Sequence, residues 1–239
     1  ILACPEGAIA RKNGGIVIEQ RKCNLCGKCA EACLYEALEI AGREVTVEDI
    51  LREVEKDRIF YEQSGGGVTL SGGEPLHQPE FLSELLEALR RRKIPVALDT
   101  TGYAPYEVLK KIAPLADVLL YDIKLMDDGK HKKYTHVSNA LILENLKKLA
   151  RKRKDVIIRI PLIAGINDDE ENIQKMIEFL TPLQIPMVSV LPYHKGGTEK
   201  YKRLRKEAAF KTFMVPSEER IQEILDQLLS AGFKAQRGG

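Results

Sequence analysis

Between Val68 and Leu191, short apolar runs rich in branched side chains alternate with longer stretches whose apolar residues recur every three or four positions. The runs Val68 to Ser71, Val96 to Asp99, Val118 to Ile123, Val156 to Ile160 and Met187 to Leu191 predict five strands. Helical spacing joins Phe81, Leu82, Leu85, Leu86 and Leu89, then Ile142, Leu146 and Leu149, then Ile173, Met176, Ile177 and Leu180. A last amphipathic helix runs from Ser217 through Ile221, Ile224, Leu225, Leu228 and Leu229, with Gly232 placed to end it. Upstream, Thr46-Val47-Glu48-Asp49 has the form of a helix cap with an acid at the third position, followed by Ile50, Leu51 and Val54 on one face. Strand and helix in alternation predict a parallel sheet with right-handed crossovers, because parallel neighbours need a long connection. Five strands are too few for an eight-stranded barrel. The expected α/β architecture is therefore an open sheet or a partial barrel, short of at least one strand upstream.

The first 45 residues break this rhythm. All five cysteines, Cys4, Cys23, Cys26, Cys29 and Cys33, fall within the first 33 positions. Cys23, Cys26, Cys29 and Cys33 have the C-x2-C-x2-C-x3-C spacing of a bacterial ferredoxin, in which tight turns direct successive thiolates at one [4Fe-4S] cube. In two-cluster ferredoxins the fourth cysteine serves the other cluster, so Cys33 belongs to a different site. Cys4, followed by Pro5-Glu6-Gly7-Ala8-Ile9, has the form of the tail of an earlier run and is expected to complete the cluster of Cys23, Cys26 and Cys29. Zinc also uses C-x2-C pairs, but zinc sites separate two pairs by a longer spacer. Disulfides suit small secreted proteins better than a chain of this kind. Gly15 to Glu19 supplies an apolar hairpin strand. Residues 1–45 are thus expected to form a ferredoxin-like iron-sulfur insert, incomplete at its start, and 46–239 a partial barrel.

Composition adds exclusions. With 239 residues, 44% apolar and 30% charged, the chain can bury a core for one large and one small domain. No apolar run approaches the roughly 20 residues of a membrane helix, and Ile1-Leu2-Ala3-Cys4-Pro5 is no signal peptide. A cytoplasmic protein without a membrane partner is expected. The net charge of +2 creates no demand for nucleic acid. Arg90-Arg91-Arg92-Lys93 and Arg151-Lys152-Arg153-Lys154 sit where helices end, matching the negative pole of the helix dipole.

In parallel α/β folds ligands sit beyond the carboxyl ends of the strands. Those ends carry Gly72-Gly73-Glu74-Pro75, Asp99-Thr100-Thr101-Gly102, Asp122-Ile123-Lys124, Arg159 with Asn167-Asp168, and Pro192-Tyr193-His194. Acids, a lysine, an arginine and a histidine on one rim suit a zwitterionic ligand with an aromatic base. Plainer roles exist for each: Asp168 as a helix cap, Asp122 with Lys124 as an ion pair, His194 as a structural histidine.

Gly72-Gly73-Glu74-Pro75 together with a ferredoxin insert resembles the activating enzymes of glycyl radical enzymes, relatives of pyruvate formate-lyase activating enzyme. Asp99-Thr100-Thr101-Gly102, Asp122-Ile123-Lys124, His136-Val137-Ser138-Asn139, Arg159 with Ile163 to Asp168, and Leu191-Pro192-Tyr193-His194 extend the resemblance over nearly the whole chain. It implies a partial (β/α)6 TIM-like barrel, here without its first strand, that holds a [4Fe-4S] cluster and S-adenosylmethionine. The implied reaction makes a 5′-deoxyadenosyl radical that takes hydrogen from a glycine of a partner glycyl radical enzyme, in an anaerobic setting with flavodoxin or ferredoxin as reductant. By the same resemblance the Gly72-Gly73-Glu74 strand edge receives the methionine ammonium, and Lys124 and Arg159 face its carboxylate. Asp122 and His194 lie toward ribose and adenine, and Ile123 between Asp122 and Lys124 is counted with the cofactor-binding residues. Asp99, Thr100 and Asp122 are implied ligands of Na+ or K+.

The family's C-x3-C-x2-C cluster loop is absent from these 239 residues. The expectation is a chain truncated upstream, inactive alone, with that loop before Ile1. Two rival readings stand beside this one: an iron-sulfur electron-transfer or scaffold protein without S-adenosylmethionine chemistry, and a phosphate-handling barrel. Glu74 counts against the second, since a carboxylate repels phosphate.

Overall fold

The computed structural model describes residues 2–40, 42–153, 155–194 and 213–238. The chain forms two compact units, Ile1–Val45 and Thr46–Gly239.

The first unit is built around an antiparallel hairpin, β1 (Ile9–Lys12) with β2 (Gly15–Ile18), registered Ile9 to Ile18 and Lys12 to Gly15. Only the second of these strands was expected; Ile9-Ala10-Arg11-Lys12 is too polar to stand out by periodicity. The cysteine run follows, with α1 (Lys28–Glu31) as a single turn. Leu25 (φ 58°) and Gly27 (φ 78°) take left-handed conformations between the cysteines. At Gly27 the left-handed conformation is what calls for glycine; an added Cβ would come within 2.9 Å only of Ile40 Cδ1, the end of an exposed side chain that can turn aside.

The second unit opens with α2 (Val47–Glu55), whose Thr46 cap forms as the sequence implies. The Thr46 hydroxyl accepts from Asp49 N, and the Asp49 carboxylate accepts from Thr46 N at 2.9 Å. Then come α3 (Arg58–Ser64), β3 (Val68–Leu70), α4 (Pro79–Arg91), β4 (Val96–Thr100), α5 (Tyr106–Ile112), β5 (Val118–Asp122), α6 (Asp128–Thr135) and α7 (Ala140–Ala150). The chain continues with β6 (Val156–Leu162), α8 (Glu170–Leu180), β7 (Met187–Pro192), α9 (Glu218–Ser230) and β8 (Lys234–Arg237). The six strands β3 to β8 lie side by side in sequence order and pair in parallel throughout.

The sheet has one strand more than periodicity predicted. In β8 the sequence Lys-Ala-Gln-Arg carries no apolar run because it is an edge strand, with Ala235 its one apolar residue. Leu229 is also displaced from the expected role. It is 50% exposed, whereas Ile221, Ile224 and Leu228 are buried, because at 100° per residue it falls on the margin of that stripe. Gly232, with φ 92°, does end the helix.

Strand alternation sorts the two faces of the sheet. Leu98, Leu119, Tyr121, Ile158 and Ile160 are fully or almost fully buried under the helices, in one core with Leu86, Leu89, Leu109, Leu146 and Met176. At about 25 cal/mol per Å2 of apolar surface, burial of these large side chains is the main favourable term in the fold. Ala97, Asp99, Leu120, Asp122, Ile157 and Arg159 occupy the opposite, half-buried face. The side chains that carry charge are therefore on the inner face of a partial barrel. At the other end of the strands, Arg153 ties the loops together by donating to the carbonyls of Ala113, Ala116 and Asp117 and pairing with Asp155. In α8 the N-cap is Asp169, which accepts from Asn172 N at 2.9 Å. Asp168, the residue expected there, instead accepts from Gly165 N at 2.7 Å and closes the preceding turn.

Candidate functional site

Parallel register converts the face pattern into a polar row across the sheet. Arg159 pairs with Asp122 on one side and Ser189 on the other, and Ser189 pairs with Gln236. The Arg159 guanidinium lies 2.6 Å from Asp99 Oδ2 and 3.8 Å from Asp122 Oδ1. Lys124 Nζ reaches Asp122 Oδ2 at 3.0 Å, and the Ser71 hydroxyl donates to Asp99 Oδ2 at 2.9 Å. Gln236 donates to the Ser189 hydroxyl at 3.3 Å. Four of the expected rim residues, Asp99, Asp122, Lys124 and Arg159, are thus brought together. Ser71, Ser189 and Gln236 were not anticipated, since serine or glutamine at a strand position has no pattern of its own until register is known.

Asp122 Oδ1 and Arg159 Nε are both buried and have no hydrogen-bond partner. At 3.8 Å they are too far apart to satisfy each other. A buried polar atom without a partner costs about 1–3 kcal/mol, so the pair marks a place where an external donor and acceptor are wanted. Burial raises the Asp122 carboxyl above the usual range, opposed by the charges of Lys124 and Arg159 and reinforced by Asp99.

Glu74 lies on the far side of β4 from Asp99. Its carboxylate accepts from the Thr100 hydroxyl at 2.6 Å, the Thr101 hydroxyl at 2.6 Å, Thr101 N at 2.9 Å and Leu76 N at 3.2 Å. Its oxygens are occupied by the strand-end loop, so its effect on a ligand passes through the backbone it holds. Gly72 (φ 89°) and Gly73 (φ 64°) precede it, and a Cβ at either would meet nothing within 4 Å. Glycine is needed here for backbone conformation, and the space beside it is open. Ile123 is buried and donates its N–H to the Arg159 carbonyl at 2.9 Å. His194 is exposed, two residues beyond the end of β7.

Thr100 alternates to the helix-packed face, where its hydroxyl is given to Glu74, while Asp99 and Asp122 flank Arg159 on the other face. This donor set does not fit a bound Na+ or K+ as it stands, because its oxygens are directed to protein groups on two faces.

The cysteines of the first unit are all free thiols, and Cys26 is exposed. Among the described residues no three Cys, His, Asp or Glu side chains are gathered closely enough to hold a metal ion. The chemistry of the donor set nevertheless suits an iron-sulfur cluster. Cys4 Sγ accepts from Ala8 N at 3.2 Å, and the Cys33 thiol is lowered below its ordinary pKa, chiefly by the backbone N–H of Leu38 and then, against partial desolvation, by those of Ala37 and Tyr35.

A six-stranded parallel sheet with a charged, incompletely satisfied rim, preceded in the chain by a cysteine-rich unit, defines an α/β protein of the partial-barrel kind. The sequence pattern of the radical SAM superfamily matches residues 20–179. The trans-4-hydroxy-L-proline dehydratase activating enzyme of Clostridioides difficile is 46% identical over 239 residues, covering 99% of this chain and 79% of that protein. Pyruvate formate-lyase 2-activating enzyme of Escherichia coli (strain K12) is 38% identical over 226 residues, covering 93% and 77%. A crystal structure of a domain of pyruvate-formate lyase-activating enzyme from Bacteroides vulgatus ATCC 8482 superposes with a TM-score of 0.62 at 38% identity, covering 73% of this chain and 99% of that domain. The chain belongs to the radical SAM superfamily and, within it, to the activating enzymes of glycyl radical enzymes.

Proposed function

We propose that the rim formed by Gly72, Gly73, Asp122, Lys124 and Arg159 binds S-adenosylmethionine, and that the protein serves the activation of a glycyl radical enzyme. The observation that carries this reading is the pair of buried, unpartnered atoms Asp122 Oδ1 and Arg159 Nε, flanked by the ammonium of Lys124. A ligand presenting both a carboxylate and hydroxyl groups would complete those bonds. Lys124 and Arg159 are cationic donors suited to a carboxylate, Asp122 is an acceptor suited to a hydroxyl or amine, and the backbone at Gly72 and Gly73 is open to close approach. Ile123, whose side chain is in the helix-packed core, takes part through its backbone, which donates to the Arg159 carbonyl, and His194, two residues past β7, is the candidate for the adenine.

When bound, S-adenosylmethionine with a reduced iron-sulfur cluster supplies the radical chemistry of this family. The 239 residues contain no C-x3-C-x2-C set, so no step is assigned to cysteines of this chain. Residues 1–45 are read as a ferredoxin-like domain, in which Cys4, Cys23, Cys26 and Cys29 would hold a [4Fe-4S] cluster and Cys33 would serve a second one, as electron carriers toward a flavodoxin or ferredoxin donor. Residues 46–239 are read as the catalytic barrel. The 46% identity with the hydroxyproline dehydratase activating enzyme makes a dehydratase the first partner to test.

Calorimetric titration of S-adenosylmethionine into the chain tests the site. Lys124→Ala and Asp122→Ala should each weaken binding about tenfold, the usual scale for hydrogen bonds to charged groups, while the remote Lys56→Ala changes nothing. Equal affinities for all four proteins would refute the assignment.

A further inference from the structure

The segment that follows β5 lies outside the strand ladder and carries Lys124. Three buried asparagines, Asn139, Asn167 and Asn172, with 4%, 2% and 4% of their surface exposed, supply its missing partners. Asn167 Nδ2 donates to the Lys124 carbonyl at 2.8 Å and to the Pro161 carbonyl at 2.7 Å, while its Oδ1 accepts from Ile163 N at 2.7 Å. Asn139 Nδ2 donates to the carbonyls of Leu125 at 3.0 Å and Met126 at 2.9 Å. Asn172 Oδ1 accepts from Met126 N at 2.9 Å, and its Nδ2 donates to the Asn167 carbonyl at 2.9 Å. Every carbonyl from Lys124 to Met126 is held by a carboxamide, and the three side chains come from three different places, the start of α7, the turn after β6 and the first turn of α8.

We infer that Asn139, Asn167 and Asn172 form a clamp that positions Lys124 for the carboxylate of the bound ligand, with Asn167 the decisive member. An amide is the one side-chain type that can donate twice to carbonyls and accept from an N–H at once, which is what this junction requires. Asn167 also joins the backbone beside Lys124 to the end of the strand that carries Arg159, so the two cations are set relative to each other by one side chain. Without the clamp, the Lys124 backbone is free to leave the β5 exit, and its ammonium leaves Asp122. These are positioning residues: none is within the charged row itself.

The inference rests on the reading of Lys124 as a ligand contact, and a double-mutant cycle separates the two. Binding of S-adenosylhomocysteine, which keeps the amino acid and adenosine parts, is measured for wild type, Asn167→Ala, Lys124→Met and the double variant. Asn167→Ala should weaken binding about tenfold in the wild-type background and less than about twofold with Lys124→Met present, since residues acting through one another are strongly coupled. Equal losses in both backgrounds would show a general structural role and overturn the clamp.

If the wild type itself fails to bind, the ligand reading fails and a second measurement still decides the clamp. The rate of acylation of Lys124 by a small anhydride, followed by peptide mass analysis, should rise at least about threefold in Asn167→Ser and in Asn139→Ser, with Lys56 unchanged as internal control, given the coupling expected between contacting groups. Unchanged Lys124 rates in folded variants would overturn the proposal.

Discussion

Gly102→Ala tests how tightly the rim is built. Gly102 has φ 69°, a conformation costing an alanine roughly 1 kcal/mol. The added Cβ would sit 1.9 Å from Tyr121 Oη, 2.2 Å from Cζ and 2.5 Å from Cε2. Tyr121 cannot yield easily: it is fully buried, and its hydroxyl donates to the Ile142 carbonyl at 2.7 Å. Overpacking a rigid core costs about 1–3 kcal/mol, and displacing that hydroxyl leaves a buried carbonyl unpaired at about 1–3 kcal/mol more. The sum is about 3–7 kcal/mol, a large share of the 5–15 kcal/mol typical of a whole domain. The effect reaches the site, because Gly102 N donates to the Thr100 hydroxyl at 2.9 Å and its carbonyl accepts from Asn145 at 2.8 Å. Moving Gly102 therefore drags Thr100 and Thr101 off Glu74. Urea unfolding followed by circular dichroism reads the stability, and titration with S-adenosylmethionine reads the site. A loss below about 1 kcal/mol would refute the packing argument, since no relaxation that keeps Tyr121 in place fits so small a cost.

Asp128 predicts a pH effect. Its carboxyl is lowered to about 2, first by the hydrogen bond from Lys132 and then by those from the Ser138 hydroxyl and Asn139 N. A depressed folded value means stabilisation that is complete above the ordinary value of 3.8 and lost as pH falls toward about 2. Between those limits the wild-type melting temperature should fall more steeply than that of Asp128→Asn, as differential scanning calorimetry will show. Arg159→Met leaves Asp99 and Asp122 facing each other without a guanidinium, and should cost about 2 kcal/mol at neutral pH, between the exposed and fully buried ion-pair cases. The Asp122 carboxyl, already raised by burial, is then raised further, so that deficit should shrink as pH drops toward the unfolded carboxylate range near about 4, which urea midpoints across pH will test. Thr46→Ala removes a helix cap and should lower stability by about 1 kcal/mol without changing ligand binding, measured by chemical denaturation beside titration.

Much of this protein is written locally. Branched apolar runs and helical spacing were enough to place β3 to β7 with α4, α7 and α8, because burial on one face imposes a period that survives in the sequence. The short α5 and α6, with two and one buried side chains, left no such period. The cysteine spacing and the Thr46 cap are legible for a similar reason: turns and caps are made by residues a few positions apart. The rim was legible as a set of polar strand ends, since parallel topology alone sends those ends to one side of the sheet.

What belonged to the tertiary structure was the assignment of partners. The edge strand β8 carries no apolar signal, because it is buried on less of its surface than the central strands. Thr100 and Asp99 are neighbours in sequence and point to opposite faces, which divides a ligand set that looked continuous. Asn139, Asn167 and Asn172 lie up to 33 positions apart, and nothing in their local sequence announces that they meet at the exit of β5. Local sequence encodes period and turn because those depend on near neighbours. Register, face and the satisfaction of buried polar atoms depend on which distant backbone arrives beside a residue, and the folded chain alone decides that.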